Sequence, residues 1–277
     1  MNIERLRKII QYSKENRQET NSMIKTFCFF SGIEYDNSLL DILQIARSSF
    51  RKKGFLVFQM PFADDEIGAL SYRGDGIGYV VINTSLPRVN VNFAIAHEIY
   101  HVFFQKSEFI SKVEFSDDHY YEHEEEYAAN LFAGMLLMPE AGFRRMYNKF
   151  KEESEGKEID TMIQLMAYYR VPYMAVLIRC LELELLERVS ENLLNITRKQ
   201  MQEKLNELWL DESILMPSNA DDYREVFVDR DNRYSVFNKI LAPLKRGDDT
   251  PYGNGEIQTE LSQIDSKYTF INLSRYT

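Results

Sequence analysis

The chain has little cysteine, a deficit of positive charge and no long apolar run. Its 277 residues include only two cysteines, Cys28 and Cys180. Two thiols so far apart exclude a disulfide framework and a cysteine-built zinc site, and both are expected as buried, idle side chains. No stretch approaches the roughly 20 apolar residues of a membrane-spanning helix. Residues 1–20, "MNIERLRKIIQYSKENRQET", mix charged and apolar positions at helical spacing, which is not the pattern of a signal peptide. The expected location is the cytoplasm, with no membrane partner. Lys and Arg number 33 against 43 Asp and Glu, a formal net charge of −10. A broad electrostatic grip on nucleic acid or anionic lipid needs clustered cations, so the balance argues against both. What is present is an ordinary globular composition, 44% apolar, in a length that suits one large domain or two modest ones.

Apolar periodicity predicts amphipathic helices over 3–12 and 38–50 ("SLLDILQIARSSF"), the second opened by Ser38 as N-cap. "GFLVFQM" (54–60) reads as a strand. "IGALSYRGDGIGYVVIN" (67–83) reads as two strands around the turn RGDG, whose glycines supply positive backbone dihedrals. The result is a small antiparallel sheet. A helix is expected from Asn90 or Asn92 to Phe104, then an acidic connector, "SDDHYYEHEEE", and a helix "EEYAANLFAGMLLM" that stops at Pro139. Helices over 141–150 and 159–187 follow, separated by the solvated break "KEESEGKE". Beyond about residue 190 the pattern changes to one long polar helix reaching Trp209, then turn-forming residues with short apolar runs such as "EVFV" and "TFINL". The predicted fold class is α+β, mainly helical. It has four regions: an N-terminal helical extension (1–37), a core (38–150), a helical segment (151–189) and a smaller region of unassigned fold (190–277).

The chemistry concentrates in "FAIAHEIYH", residues 93–101. Residues four apart on a helix lie one above the other, so His97 and His101 can turn both imidazoles to one ion. Glu98 stands about 100° round from His97, in reach of a water on that ion without binding it, which is the general-base position of a zincin. Ile95, Ile99, Val102 and Phe103 offer an apolar face to a core. The pentapeptide alone is weak: roughly one chain in a couple of hundred of this composition carries it by chance.

A catalytic zinc takes a third protein ligand and keeps a fourth position for water. The candidates are His119, His123 and the acidic run 122–126. Glu126 is favoured because it opens a helix on which Asn130 lies one turn later on the same face, while Ala129 and Ala133 keep that helix slim. Asn130 is placed to accept a hydrogen bond from the free ring N–H of a ligand histidine, fixing its tautomer. The competing reading makes Glu126 a solvated carboxylate. His123, one turn before Glu126, can face the same ion, whereas His119 reads as a loop histidine.

"IGYVVINTSLPRVNVNFAIAHEIYH" followed, after the acidic spacer, by "EYAANLFAGMLLMP" resembles the ImmA/IrrE family of metallopeptidases, over about residues 38–187. The resemblance implies a zincin-like peptidase core in 38–150 and a helix-turn-helix-like segment in 151–189 packed on it. It implies Zn2+, or another divalent metal, held by His97, His101 and Glu126, with Glu98 as base and Asn130 supporting a ligand. It further implies a cytoplasmic, gluzincin-like endopeptidase whose partner is a helix-turn-helix repressor, cut to release genes of a mobile element or a stress response.

Two residues depart from the family pattern: Tyr100 stands where Gly is usual and Ala94 where Thr is frequent. Tyr100 either fills space or offers a phenol to the substrate. Tyr72, Tyr100, His119, His123 and Tyr127 are the candidates for an oxyanion or substrate contact. In the helix-turn-helix-like segment, Arg179 is followed by Glu182, Glu184 and Glu187, which phosphates would repel, so a structural or protein-contact role is expected there. The strand "YVVIN" (79–83) is read as a sheet edge on which an extended substrate lies. Two rival readings are a metal-binding sensor or interaction module with little turnover, and a DNA-binding regulator with a structural peptidase remnant. Glu98 favours the protease, since a pure binding site needs no base.

Overall fold

In the computed structural model, which describes residues 3–34, 41–63, 67–74, 77–105, 124–186, 188–221 and 267–272, helices predominate around one small sheet. The first helix, α1 (Ile3–Ser31), runs well past residue 12. Its buried stripe is Leu6, Ser13, Thr20, Ile24, Phe27 and Cys28. Small polar residues hold two stripe positions, which is why the apolar period fades from the sequence in mid-helix. The second helix, α2 (Ile42–Lys52), is capped by Asp41, whose carboxylate accepts the Gln44 N–H at 3.1 Å. It therefore starts later than expected, and Ser38 lies outside the described residues.

Four strands follow: β1 (Phe55–Met60), β2 (Ile67–Gly74), β3 (Ile77–Asn83) and, late in the sequence, β4 (Lys267–Asn272). The sheet order is β1-β3-β2-β4. β2 pairs antiparallel with β3 and with β4, but β1 runs parallel to β3. The expected antiparallel sheet is thus mixed. The reason is a staple at one end: the buried Asn83 carboxamide oxygen accepts the N–H groups of Phe62 and Ser85, both at 3.0 Å. Beside it the Thr84 N–H bonds the Met60 carbonyl at 3.0 Å. These bonds hold the chain leaving β1 against the end of β3. They also make residues 79–83 internal, flanked on both sides, so the substrate edge expected there is excluded. Residues 75–76 of the RGDG turn, and the run "EVFV", lie outside the described residues.

Helix α3 (Arg88–Phe104) starts ahead of Asn90 and Asn92, because Pro87 supplies a fixed φ of −51° and a carbonyl that accepts from Asn90 and Val91. It is buried almost all round. Across it packs α4 (Glu124–Leu137), covered in turn by α1. Phe27 of α1 meets Phe103 of α3 and Phe132 of α4 edge-on. α5 (Glu140–Glu153) begins after Pro139, and the chain reverses through Glu155 and Gly156, both at positive φ, into α6 (Glu158–Tyr169) and α7 (Tyr173–Glu182).

The long polar helix expected up to Trp209 is two pieces, α8 (Glu191–Leu194) and α9 (Arg198–Glu207). They are separated because Thr197 and Gln200 form a capping box that opens a new helix. α9 packs on α6, a 3-10 turn at Glu212–Leu215 packs on α3, and "TFINL" supplies most of β4. Cys28 and Cys180 are buried and not joined in a disulfide. Among the described residues, no helix is long and apolar enough to cross a membrane.

Gly78 stands opposite Phe55 across the β1–β3 ladder, where a Cβ would meet a Phe55 ring carbon at 2.5 Å. Phe55 is 2% exposed and has little room to yield. Gly78→Ala is expected to destabilise the fold by about 1–3 kcal/mol, read as a lower urea midpoint at unchanged slope.

Candidate metal centre

α3 sets His97 and His101 on one face, one turn apart, with their Nε2 atoms 2.8 Å from each other. The first turn of α4 brings in Glu126, with Oε2 3.3 Å from His97 Nε2 and Oε1 3.6 Å from His101 Nε2. The ligand atoms of the three residues all lie within 4.8 Å of one another, a scale that suits one ion, since two ligands of a tetrahedral zinc are about 3.3 Å apart. The imidazoles are buried, while the Glu126 side chain is 21% exposed and so forms the outer wall.

Both rings are held from behind. The Nδ1–H of His97 donates to Asn130 Oδ1 at 2.9 Å, and that of His101 to Gln105 Oε1 at 2.8 Å. With Nδ1 protonated, the Nε2 lone pairs are the ones left for a cation. Burial lowers the His101 pKa to about 4 against the pull of Glu126, so this ring is neutral near pH 7. Burial also opposes charge on His97, but the hydrogen bond and charge of Glu126, aided by Glu98 and Asn130, outweigh it and raise that pKa.

Glu98 is fully buried beside His97, and burial pushes its carboxyl up to about 7 although His97 and Ser71 pull the other way. Its two oxygens have different fates. Oε2 accepts the hydroxyl of Ser71 from β2, whereas Oε1 is buried with no hydrogen-bond partner among the described residues. A buried acceptor left unmet costs about 1–3 kcal/mol, so such an atom marks a place completed by water or a ligand. Two neutral-capable imidazoles, an adjacent carboxylate and this spare oxygen fit a borderline divalent cation of the zinc type with an attendant water.

The structure thus brings together His97, Glu98, His101, Glu126 and Asn130. His119 and His123 lie outside the described residues. Tyr72 is on β2 opposite Tyr79. Tyr127 stacks on Tyr12 of α1 with ring centroids 5.6 Å apart. Tyr100 is buried, packed on Phe132 and Phe104 and edge-on to His101. Burial raises its phenol pKa. Arg179 of α7 is not offered to phosphate, because its buried guanidinium donates to Glu182 and to the Met138 carbonyl.

Sequence reasoning missed Gln105 and Ser71. Gln105 had a signal, since it follows His101 by the same helical turn that relates Asn130 to Glu126. Ser71 had none, because its contact depends on how β2 packs against α3.

A histidine pair on one buried helix, met by a carboxylate from a crossing helix, has the form of a metallopeptidase core. Residues 50–181 match the model of the peptidase M78 family, described as an IrrE N-terminal-like domain. Residues 50–181 thus form a domain similar to the ImmA/IrrE metallopeptidases. No curated protein matches the chain. α1 lies before the matched span, and α8, α9 and β4 lie after it.

Asn130→Ala and Gln105→Ala are each expected to weaken divalent-metal binding about 10–100-fold without unfolding the protein. Competition against a chelating indicator, with circular dichroism as the fold control, measures this.

Proposed function

We propose that the protein is a zinc-dependent endopeptidase acting in the cytoplasm, and that it cleaves a helix-turn-helix repressor to relieve repression of mobile-element or stress genes. The observation that carries the hydrolytic part is Glu98: a buried carboxylate with one oxygen held by Ser71 and the other unpaired, beside His97, His101 and Glu126. The repressor is the substrate implied by the resemblance to ImmA/IrrE peptidases.

His97, His101 and Glu126 would hold the zinc, and their ligand types also accept other divalent ions. When bound, zinc polarises the scissile carbonyl and makes a neighbouring water acidic. Asn130 and Gln105 keep the imidazoles in the binding tautomer. Glu98 takes the proton of the attacking water on Oε1 and passes it to the departing amine, a task suited to a carboxyl whose pKa sits near the working pH. The Ser71 hydroxyl fixes the carboxylate plane by holding Oε2. Tyr72 and His123 are kept as candidate substrate contacts, and the ring of Tyr100 is assigned to packing between α3 and α4.

A pure metal-binding sensor is the second reading. It gains nothing from a buried carboxylate with a spare oxygen, which costs stability unless used. The deciding experiment co-expresses the chain with a helix-turn-helix repressor encoded beside it. A discrete repressor fragment is expected, lost on chelation and regained with zinc. Glu98→Gln is expected to retain metal while cutting at least about 10²–10⁴-fold more slowly. An undiminished fragment from the Gln variant would exclude the proposed mechanism.

A further inference from the structure

β4 pairs antiparallel with β2 on the side away from β3, setting Thr269 opposite Ser71, Tyr268 opposite Tyr72 and Lys267 opposite Arg73. Ser71 is the residue whose hydroxyl holds Glu98. A strand from late in the sequence therefore runs directly beside the element that grips the proposed base. β2 packs directly against α3, whereas β1, the other outer strand described, is separated from β2 by β3. The outer edge of β2 is thus the sheet edge that borders the site. Unpaired main-chain N–H and C=O groups on such an edge take up an extended peptide as an added strand.

We propose that the β2 edge is the docking rail for an extended substrate segment, and that residues 267–272 occupy it in the resting protein as an internal competitor. This rests on the peptidase reading and adds its regulation. The ladder is short and is interrupted by a register shift between Ile67 and Leu70. A short, interrupted ladder opens at lower free-energy cost than the core strands. A tethered strand competes at an effective concentration on the order of millimolar. A free peptide therefore gains the edge only when the tethered strand is drawn off or when a partner supplies contacts elsewhere.

Two full-length variants test this. Tyr268→Pro combined with Thr269→Pro removes two successive N–H groups. Because alternate residues of an antiparallel strand point their N–H to the neighbour, one of the two substitutions must break the ladder. Arg73→Cys combined with Lys267→Cys places thiols on opposed residues and locks the ladder when oxidised. Cys28 and Cys180 are buried, which keeps them out of the exchange.

The probe for binding is a labelled peptide of residues 264–273, followed by fluorescence anisotropy. It is expected to bind the proline variant at least about tenfold more tightly than the wild type, and the oxidised cysteine variant not at all. Unfolded casein is the probe for cleavage. It is expected to be cut fastest by the proline variant and at background by the oxidised lock, with reductant restoring the rate. Equal peptide binding by all forms, equal casein cleavage by locked and reduced forms, or failure of the two cysteines to join would each overturn the proposal. Binding that follows the strand in the absence of any cleavage would overturn the peptidase reading and leave the edge assignment standing. Cleavage indifferent to the strand would do the reverse.

Discussion

The structure depends on the burial of charge between two crossing helices. α3 and α4 enclose two imidazoles and bring two carboxylates against them, in surroundings otherwise sealed by apolar side chains. Ionised groups in such a place are tolerated only when paired and hydrogen-bonded. Polar atoms here are accordingly met, Nδ1 of both rings by a side-chain amide and one oxygen of Glu98 by Ser71, while the Glu126 carboxylate faces the two Nε2 atoms across the place a cation would take. The exception is Glu98 Oε1. Close approach of the helices is permitted by Ala94, Ala129 and Ala133, all fully buried, and the space is then filled by Tyr100 against Phe132.

Contacts from α1, before the matched domain, and from α7, within it, brace this pair. α1 lies over α4, stacking Tyr12 on Tyr127 and joining Arg17 to Glu140 of α5. Arg179 of α7 donates to the carbonyl of Met138, just past the end of α4. α7 is thus tied to the far end of the helix that carries Glu126. The Arg179 guanidinium is engaged by that bond and by Glu182.

Whatever helical spacing governs was readable in advance. His97, Glu98 and His101 follow from one turn of α3, and Glu126 with Asn130 from one turn of α4, because side chains four apart share a face whatever surrounds them. Gln105 obeys the same rule. What was not readable depends on contacts between segments distant in sequence. The parallel pairing of β1 turns on the Asn83 carboxamide reaching the amide of Phe62. The grip on Glu98 turns on a serine in a strand, and the partner of β2 comes from a run of residues that local pattern placed in a separate region. The length of α1 was hidden for a different reason, since Ser13 and Thr20 take stripe positions that an apolar count passes over.

The Asn83 staple also makes one strand's place depend on another's. β2 and β3 are neighbours in sequence and meet as a hairpin at small loop-closure cost, whereas β1 pairs with the far side of β3. Until β3 is laid down, the amide of Phe62 has no carboxamide to find. The parallel strand is therefore fastened at its end to the hairpin by a side chain that takes no part in the proposed chemistry.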